Sequence, residues 1–369
     1  EKNIIQITSI LGGIQGLILG IVVLFYPKIH RSSNIILSLF ILSLSLILLA
    51  PRIRQIIPEE FMWPIYGVRF SSLMLLYFYI KSLYRNINWR NEWWNFVLLF
   101  SHIAISFLEA IRGDNQFKYQ TPLDYTALIL QLGTFGVYFF LLFDELKSYK
   151  RKVKSNFSSM HQVGYNWSKQ LVWGFLIMTI YQLIMGSYYA KTTTFEYTYL
   201  FAFFNTFIFT IYMYFIAIKG KLNPMIYKLR KMVVEDANNE VEERETANNI
   251  KKSEDESLIP IANQIMEHIE SNKSYLNPTI TLNEFAEELD LKAYVVSLAM
   301  NKVLNKSFFD LINGYRVEEA KKLLVDDKLN HLSVLGIGLE AGFNSKTTFN
   351  TTFKKFTGMT PTAYKNQAV

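Results

Sequence analysis

Ser333-Val-Leu-Gly-Ile-Gly-Leu-Glu-Ala-Gly-Phe-Asn-Ser-Lys-Thr-Thr-Phe-Asn-Thr-Thr-Phe-Lys-Lys-Phe356 reads as a short helix, a tight turn and a longer helix. The first helix covers Ser333–Ala341, the turn is Gly342-Phe343-Asn344, and the second helix covers Ser345–Phe356. A helix-turn-helix needs a small residue where its helices cross and a residue free to turn tightly between them, and Gly342 suits the turn. Phe343, Phe349, Phe353 and Phe356 give one apolar face, which leaves Lys346, Thr347, Asn350, Thr351 and Lys354 on the other. Asn and Lys can pair with base edges and Thr with bases or phosphates, so this face has the chemistry of a helix that reads the major groove.

The same unit recurs upstream. Thr281-Leu-Asn-Glu284 is a capping box that starts a short helix, Leu282–Leu289, and a second helix of about Lys292–Leu304 follows after a very short turn. At a fixed offset Ala286 corresponds to Gly338, Leu289 to Ala341 and Asp290 to Gly342. Ser307-Phe-Phe-Asp310 caps a long helix that joins the two units and runs to about Val325, while Ile261–Ile269 forms an amphipathic helix ahead of both. In the first unit the polar residues that can reach DNA are Lys292, Tyr294, Ser297 and Asn301. Gly336 and Gly338 each cost a helix about 0.5–1 kcal/mol relative to Ala, which points to a head ordered mainly on DNA.

Three stretches carry a family resemblance. They are Gly314-Tyr-Arg-Val-Glu-Glu-Ala-Lys-Lys-Leu-Leu324, Leu339-Glu-Ala-Gly-Phe-Asn-Ser345, and Phe353-Lys-Lys-Phe-Thr-Gly-Met-Thr-Pro361 with Tyr364. Over residues 260–369 the chain resembles the DNA-binding domain of the AraC/XylS family of bacterial transcription regulators. The resemblance implies two helix-turn-helix units that enter successive major-groove segments on one DNA face. It also implies promoter DNA and RNA polymerase as partners, and it assigns Arg316, Ala320 and Leu324 to the connecting helix rather than to the DNA surface. Leu298 stands where the family usually offers a polar side chain and Val295 where an aromatic is common, so the second unit is expected to carry more base readout.

The rest of the 369-residue chain has a different composition. Half of all residues are hydrophobic and 15% aromatic, with only 19% charged. Seven windows are apolar over about the length of a membrane span: Ile4–Tyr26, Ser33–Leu49, Pro64–Tyr84, Trp93–Ile111, Tyr125–Phe143, Leu171–Ala190 and Phe195–Ile218. The alternate loops hold 11 Lys or Arg in one set and 5 in the other, which places the N-terminus outside and the C-terminal head in the cytoplasm. The sequence therefore predicts an all-α chain: a seven-transmembrane-helix bundle (1–220), a charged linker (221–259) and a tandem helix-turn-helix head (260–369). Joined to a multi-helix membrane domain, the head resembles a membrane-bound sensory subgroup of the family. The lipid bilayer is then a partner, and the bacterial inner membrane the location.

Arg69, His102, Glu109, Gln131, Gln182 and Asn205 are polar residues within these windows, and polar groups at such depth are candidate ligand contacts for an unknown signal or membrane partner. An Arg69–Glu109 pair with interhelical hydrogen bonds is the competing, purely packing explanation. Gly12, Gly16 and Gly20 form overlapping G-x-x-x-G repeats that suit close helix packing, either within one chain or in a homodimer. No catalytic constellation is present. The chain has no Cys, its five His are scattered without metal-ligand spacing, and no phosphate-binding loop or nucleophile elbow occurs, so neither enzyme activity nor a cofactor is expected.

The net charge of +7 divides unevenly. Residues 1–231 hold 23 Lys+Arg against 10 Asp+Glu, residues 232–259 hold 3 against 9, and residues 260–369 hold 12 of each. A neutral head is expected to bind non-specific DNA weakly. The favoured function is a one-component transcription regulator in which a signal at the membrane helices alters promoter binding by the head. The alternative is a membrane-anchored protein-binding module or small transporter whose head docks a protein partner.

Overall fold

The computed structural model describes residues 2–25, 31–53, 55–58, 61–112, 122–159, 164–191, 195–222 and 255–368. Regular structure among them is helical, apart from one isolated antiparallel bridge between Phe157 and Thr281. The chain divides into two units: Glu1–Tyr149 with Asn166–Arg230, and Lys150–Tyr165 with Lys231–Val369. Most of the charged linker, residues 223–254, lies outside the described residues.

The first unit contains α1 (Lys2–Leu24), α2 (Arg31–Ile53), α3 (Trp63–Ser82), α4 (Trp93–Arg112), most of α5 (Pro122–Asn156), most of α6 (Tyr165–Lys191) and α7 (Phe195–Leu222). Helix α1 packs on α2 and α7, α2 on α3, and α3 on α4. The glycines of α1 serve this packing. A Cβ on Gly12 would lie 2.4 Å from Thr210 Oγ1, one on Gly16 2.2 Å from Ser45 Oγ, and one on Gly20 2.8 Å from Leu42. The small-residue face is used inside the chain, so the alternative of a homodimer through these glycines loses the surface on which it rested.

Helices occupy all seven apolar windows, but the seven-transmembrane-helix bundle requires correction. Among the described residues only Arg31–Ala50 and Tyr125–Asn156 are long and apolar enough to cross a membrane, and Arg31–Ala50 is mostly buried within its unit, as a core helix is. Ser9–Leu24 and Phe204–Ile216 are shorter apolar helices. The other helices interleave polar residues with apolar ones: Arg69, Ser71 and Ser72 in α3, Asn95 and His102 in α4, and Lys169 and Gln182 in α6. The loop-charge topology, the lipid bilayer as a partner and the inner-membrane location all presupposed seven spans, and they fall with them.

Charge is also built into the interior of this unit. Lys81 and Glu92 form a buried ion pair, Lys81 Nζ lies 3.8 Å from Glu145, and Arg85 and Tyr84 both bind the Glu145 carboxylate. Tyr77 donates to Glu92 at 3.3 Å, Asn95 donates to it at 3.0 Å, and Tyr138 donates to Asn95 at 2.8 Å. Two carboxylates share one buried ammonium and one half-exposed guanidinium, so removing the ammonium leaves charge uncompensated. Lys81→Met is therefore expected to destabilise the full chain by about 3–5 kcal/mol in chemical denaturation. A change below about 1 kcal/mol would mean that the cluster is not buried in solution.

The second unit is built from α8 (Ile259–Asn272), α9 (Leu282–Glu288), α10 (Ala293–Lys302), α11 (Phe308–Leu324), α12 (Val334–Glu340), α13 (Lys346–Thr357) and α14 (Pro361–Ala368). Side chains open most of these helices. Thr281 accepts from Glu284 N at 3.3 Å while Glu284 accepts from Thr281 N at 2.8 Å, completing the capping box. Ser307, Ser333 and Ser345 each accept from a backbone N–H three residues on. Each such cap contributes about 1 kcal/mol and fixes where its helix begins.

Two cores share one helix. Phe308, Leu311 and Ile312 of α11 join α8, α9 and α10, whereas Val317, Ala320 and Leu324 of the same helix join Ile337, Phe343, Phe349 and Phe353. Neither helix pair owns a complete core without α11. The tandem of two helix-turn-helix units is accordingly corrected to a single domain containing two helix pairs.

The glycines of α12 differ in role. A Cβ on Gly338 would come within 2.5 Å of the fully buried Phe349 ring, whereas one on Gly336 meets nothing closer than 3.4 Å. Gly338 is thus required by core packing and does not mark a head that waits for DNA to become ordered. Gly338→Ala is expected to lose about 1–3 kcal/mol through overpacking, and Gly336→Ala to gain about 0.5–1 kcal/mol. Thermal denaturation of the two variants side by side tests this opposition in sign.

Candidate nucleic-acid interface

Helix α13 is anchored from one side. Phe349 and Phe353 are buried beside Phe343, with ring centroids 5.1 Å (Phe343–Phe349) and 5.6 Å (Phe349–Phe353) apart, and Tyr364 of α14 closes the stack at 5.4 Å from Phe353. Phe356, expected on this apolar face, is instead 41% exposed. The opposite face presents Lys346, Thr347, Thr351 and Lys354 to solvent, with Asn350 half-buried among them. Their spacing follows one side of a 3.6-residue helix, so the five side chains form a continuous stripe. Thr351 returns its hydroxyl to Thr347 O at 2.7 Å.

The turn before α13 is fixed by geometry. Gly342 has φ of +90°, and a Cβ there would approach Tyr275 O to 2.5 Å. In the other pair the corresponding residue, Asp290, also adopts a left-handed conformation, at φ of 55°. Helix α10 presents Lys292 at its N-cap and Asn301 to solvent, with Tyr294 and Ser297 half-buried between them. Asn301 Nδ2 donates to Ser297 O at 2.8 Å, which holds its side chain back along the helix. Leu298, anticipated as the weak point of this face, packs partly against the first core.

The charge near these helices is largely balanced. Lys355 of α13 is bound to Asp310 at 2.7 Å. Burial would raise the Asp310 pKa, but the Lys355 and Ser307 hydrogen bonds and the Lys154 charge outweigh it and hold the carboxyl below its usual range. Lys355 is thereby neutralised locally, and Lys346 and Lys354 carry the positive charge of the stripe. Arg316, which the resemblance assigned to the connecting helix, is 1% exposed on α11, with Ala320 and Leu324 buried beside it in sequence. Burial pushes its pKa down to about 9, so it stays protonated at neutral pH.

Of the six candidate ligand contacts of the first unit, His102, Gln131, Gln182 and Asn205 have described side chains. His102 is buried, bonded to Thr134 Oγ1 at 2.9 Å and stacked on Phe70 with centroids 3.6 Å apart. Gln182 donates to Asn205 at 3.3 Å, so these two meet each other. Gln131 is half-buried, and the side chains of Arg69 and Glu109 lie outside the described residues. Among the described residues no group of three or more His, Asp or Glu is placed to hold a metal ion.

Comparison with known proteins places the match on the second unit. Residues 285–367 match a helix-turn-helix domain family, and the match covers one domain that runs through both helix pairs. The melibiose operon regulatory proteins of Escherichia coli K12 and of Escherichia coli O6:H1 are each 34% identical to the chain over 87 residues. That is 23% of this chain and 28% of theirs, so the chain spans under a third of the length of the curated relatives it matches. No solved structure matches. The AraC/XylS resemblance is thereby confined to the C-terminal domain. The membrane-bound seven-span subgroup and RNA polymerase as a partner are not carried over, since the family match spans residues 285–367 and does not reach the helices of the first unit. By name the two relatives are operon regulatory proteins.

Proposed function

We propose that the chain is a transcription regulator that binds promoter DNA through α10 and α13. The observation that carries this reading is the stripe of Lys346, Thr347, Asn350, Thr351 and Lys354 on a helix whose other face is locked into the core by Phe349 and Phe353. A helix held this rigidly can present side chains in a fixed order to base edges. Asn350 suits adenine, which it can engage through paired donor and acceptor bonds, while Lys346 and Lys354 suit phosphate or guanine. Lys292, Tyr294, Ser297 and Asn301 form the second, less charged contact set on α10. Regulation of an operon, the role named for the two relatives, is the corresponding role here.

Selection of tight-binding duplexes from a random-sequence library by the full chain tests the reading, and a defined motif is expected to enrich. Asn350→Ala should cost about 1–3 kcal/mol and relax preference at one base position. Lys346→Ala should weaken binding evenly across sequences and lower the salt slope by about one. Enrichment of no motif, or a motif insensitive to both substitutions, would refute DNA recognition by this face.

A further inference from the structure

The end of α5 is part of the second unit, and it is buried there. After Asn156 the chain leaves the helix and passes as Phe157-Ser158-Ser159 through the domain, each residue 1% exposed or less. Phe157 pairs with Thr281, the N-cap of α9. Ser158 Oγ donates to Ile280 O at 2.9 Å, and Ser158 O accepts from Asn313 Nδ2 at 2.8 Å. The Ser159 hydroxyl and the Asn344 amide exchange bonds of 3.0 and 3.2 Å. Three residues thus touch the start of the first helix pair, the connecting helix α11 and the turn of the second pair.

Arg316 makes this strap more than a packed loop. Its guanidinium donates to Tyr275 O and Asn277 O at 2.7 Å each, to Asn313 Oδ1 at 3.2 Å, and to Ser158 Oγ and O at 3.2 and 3.4 Å. All five acceptors are neutral, and two of them come from the strap. Without the strap, the Arg316 guanidinium loses two of its five acceptors, and Asn313 Nδ2 loses one of two and keeps Phe309 O. Helices α9 and α12 would have to shift to close the slot or admit water. Loss of the strap would therefore change the arrangement of the helix pairs. Only one spacing of α10 and α13 can fit successive major-groove segments.

We infer that Phe157–Ser159 is a regulatory strap: docked, it holds α10 and α13 at the spacing that binds DNA, and released, it lowers DNA affinity. The inference rests on the DNA-binding reading above for its output, but the docking itself does not. The strap directly continues α5, whose earlier turns belong to the first unit. A change in that helix is thus coupled by the chain itself to the reading helices, provided the two states differ in affinity for the effector.

The absence of Cys from the chain allows a clean test in the full-length protein. In Ser158→Leu, backbone hydrogen exchange is expected to rise together in the peptides around Ile280–Glu284 and Phe343–Ser345. Affinity for a library-selected duplex is expected to fall about tenfold or more. The double variant Ser159→Cys/Asn344→Cys guards against simple unfolding: its oxidised form should keep wild-type affinity. Adding Ser158→Leu to the oxidised pair should restore most of the loss, and reduction should abolish that rescue. Exchange unchanged in both peptides would overturn the docking, whatever the protein does with DNA. Faster exchange with undiminished affinity would overturn the control. Failure of the wild-type chain to select any duplex would instead refute the DNA reading, leaving docking to be decided by exchange alone.

Discussion

A single buried guanidinium organises the second unit. Arg316 projects from the middle of α11 into a site lined by backbone carbonyls of Tyr275 and Asn277, the Asn313 amide and the Ser158 backbone and hydroxyl. No carboxylate neutralises it among these partners, so its charge is carried by dipoles that must be placed correctly. A buried cation held in this way is intolerant of displacement, because each lost acceptor is a desolvated donor left unmet. The residues before α9, the strap after α5 and the connecting helix are fixed relative to one another by that requirement. The Phe343 ring, 5.9 Å from the guanidinium, extends the same constraint to the second helix pair.

Around this point, α11 works as a shared spine. Its first half closes one core and its second half closes the other, which makes the two helix pairs a single cooperative domain. Helix starts are set by Thr281, Ser307, Ser333 and Ser345, and the tight turn is set by Gly342, whose backbone neighbours leave no room for a side chain. The polar stripe on α13 owes its fixed orientation to the Phe349 and Phe353 anchors beneath it. With 12 Lys+Arg against 12 Asp+Glu over residues 260–369, and Lys355 consumed by Asp310, the domain has little charge to spend on non-specific DNA. On the proposed DNA-binding reading, recognition rests on a few placed side chains.

Local rules were legible in the sequence, and long-range ones were not. Caps, the Gly342 turn and the aromatic anchors of α13 each follow from residues within four positions of one another, and all were readable in advance. Phe356 continued the aromatic spacing yet is exposed, because periodicity tells which face a residue shares but not where the partner surface ends. Gly338 looked like a propensity cost and is a packing requirement, since its partner Phe349 lies across the turn. Apolar windows located the helices of the first unit but misjudged their role. Hydropathy cannot separate a core helix such as α2 from a span, and the charges Lys81, Glu92 and Glu145 are buried against one another. Phe157-Ser158-Ser159 carried no signal at all, because its partners lie more than 120 residues away.

The most direct measurement of recognition by this domain is a methylation-interference footprint of the full chain on a duplex that it selects. Two reading helices held on one spine should give two clusters of interfering major-groove guanines on the same DNA face, about one helical turn apart. Substitution of Asn350 should weaken one cluster and leave the other in place. A single cluster, protection confined to the phosphate backbone, or no footprint would contradict DNA reading by α10 and α13.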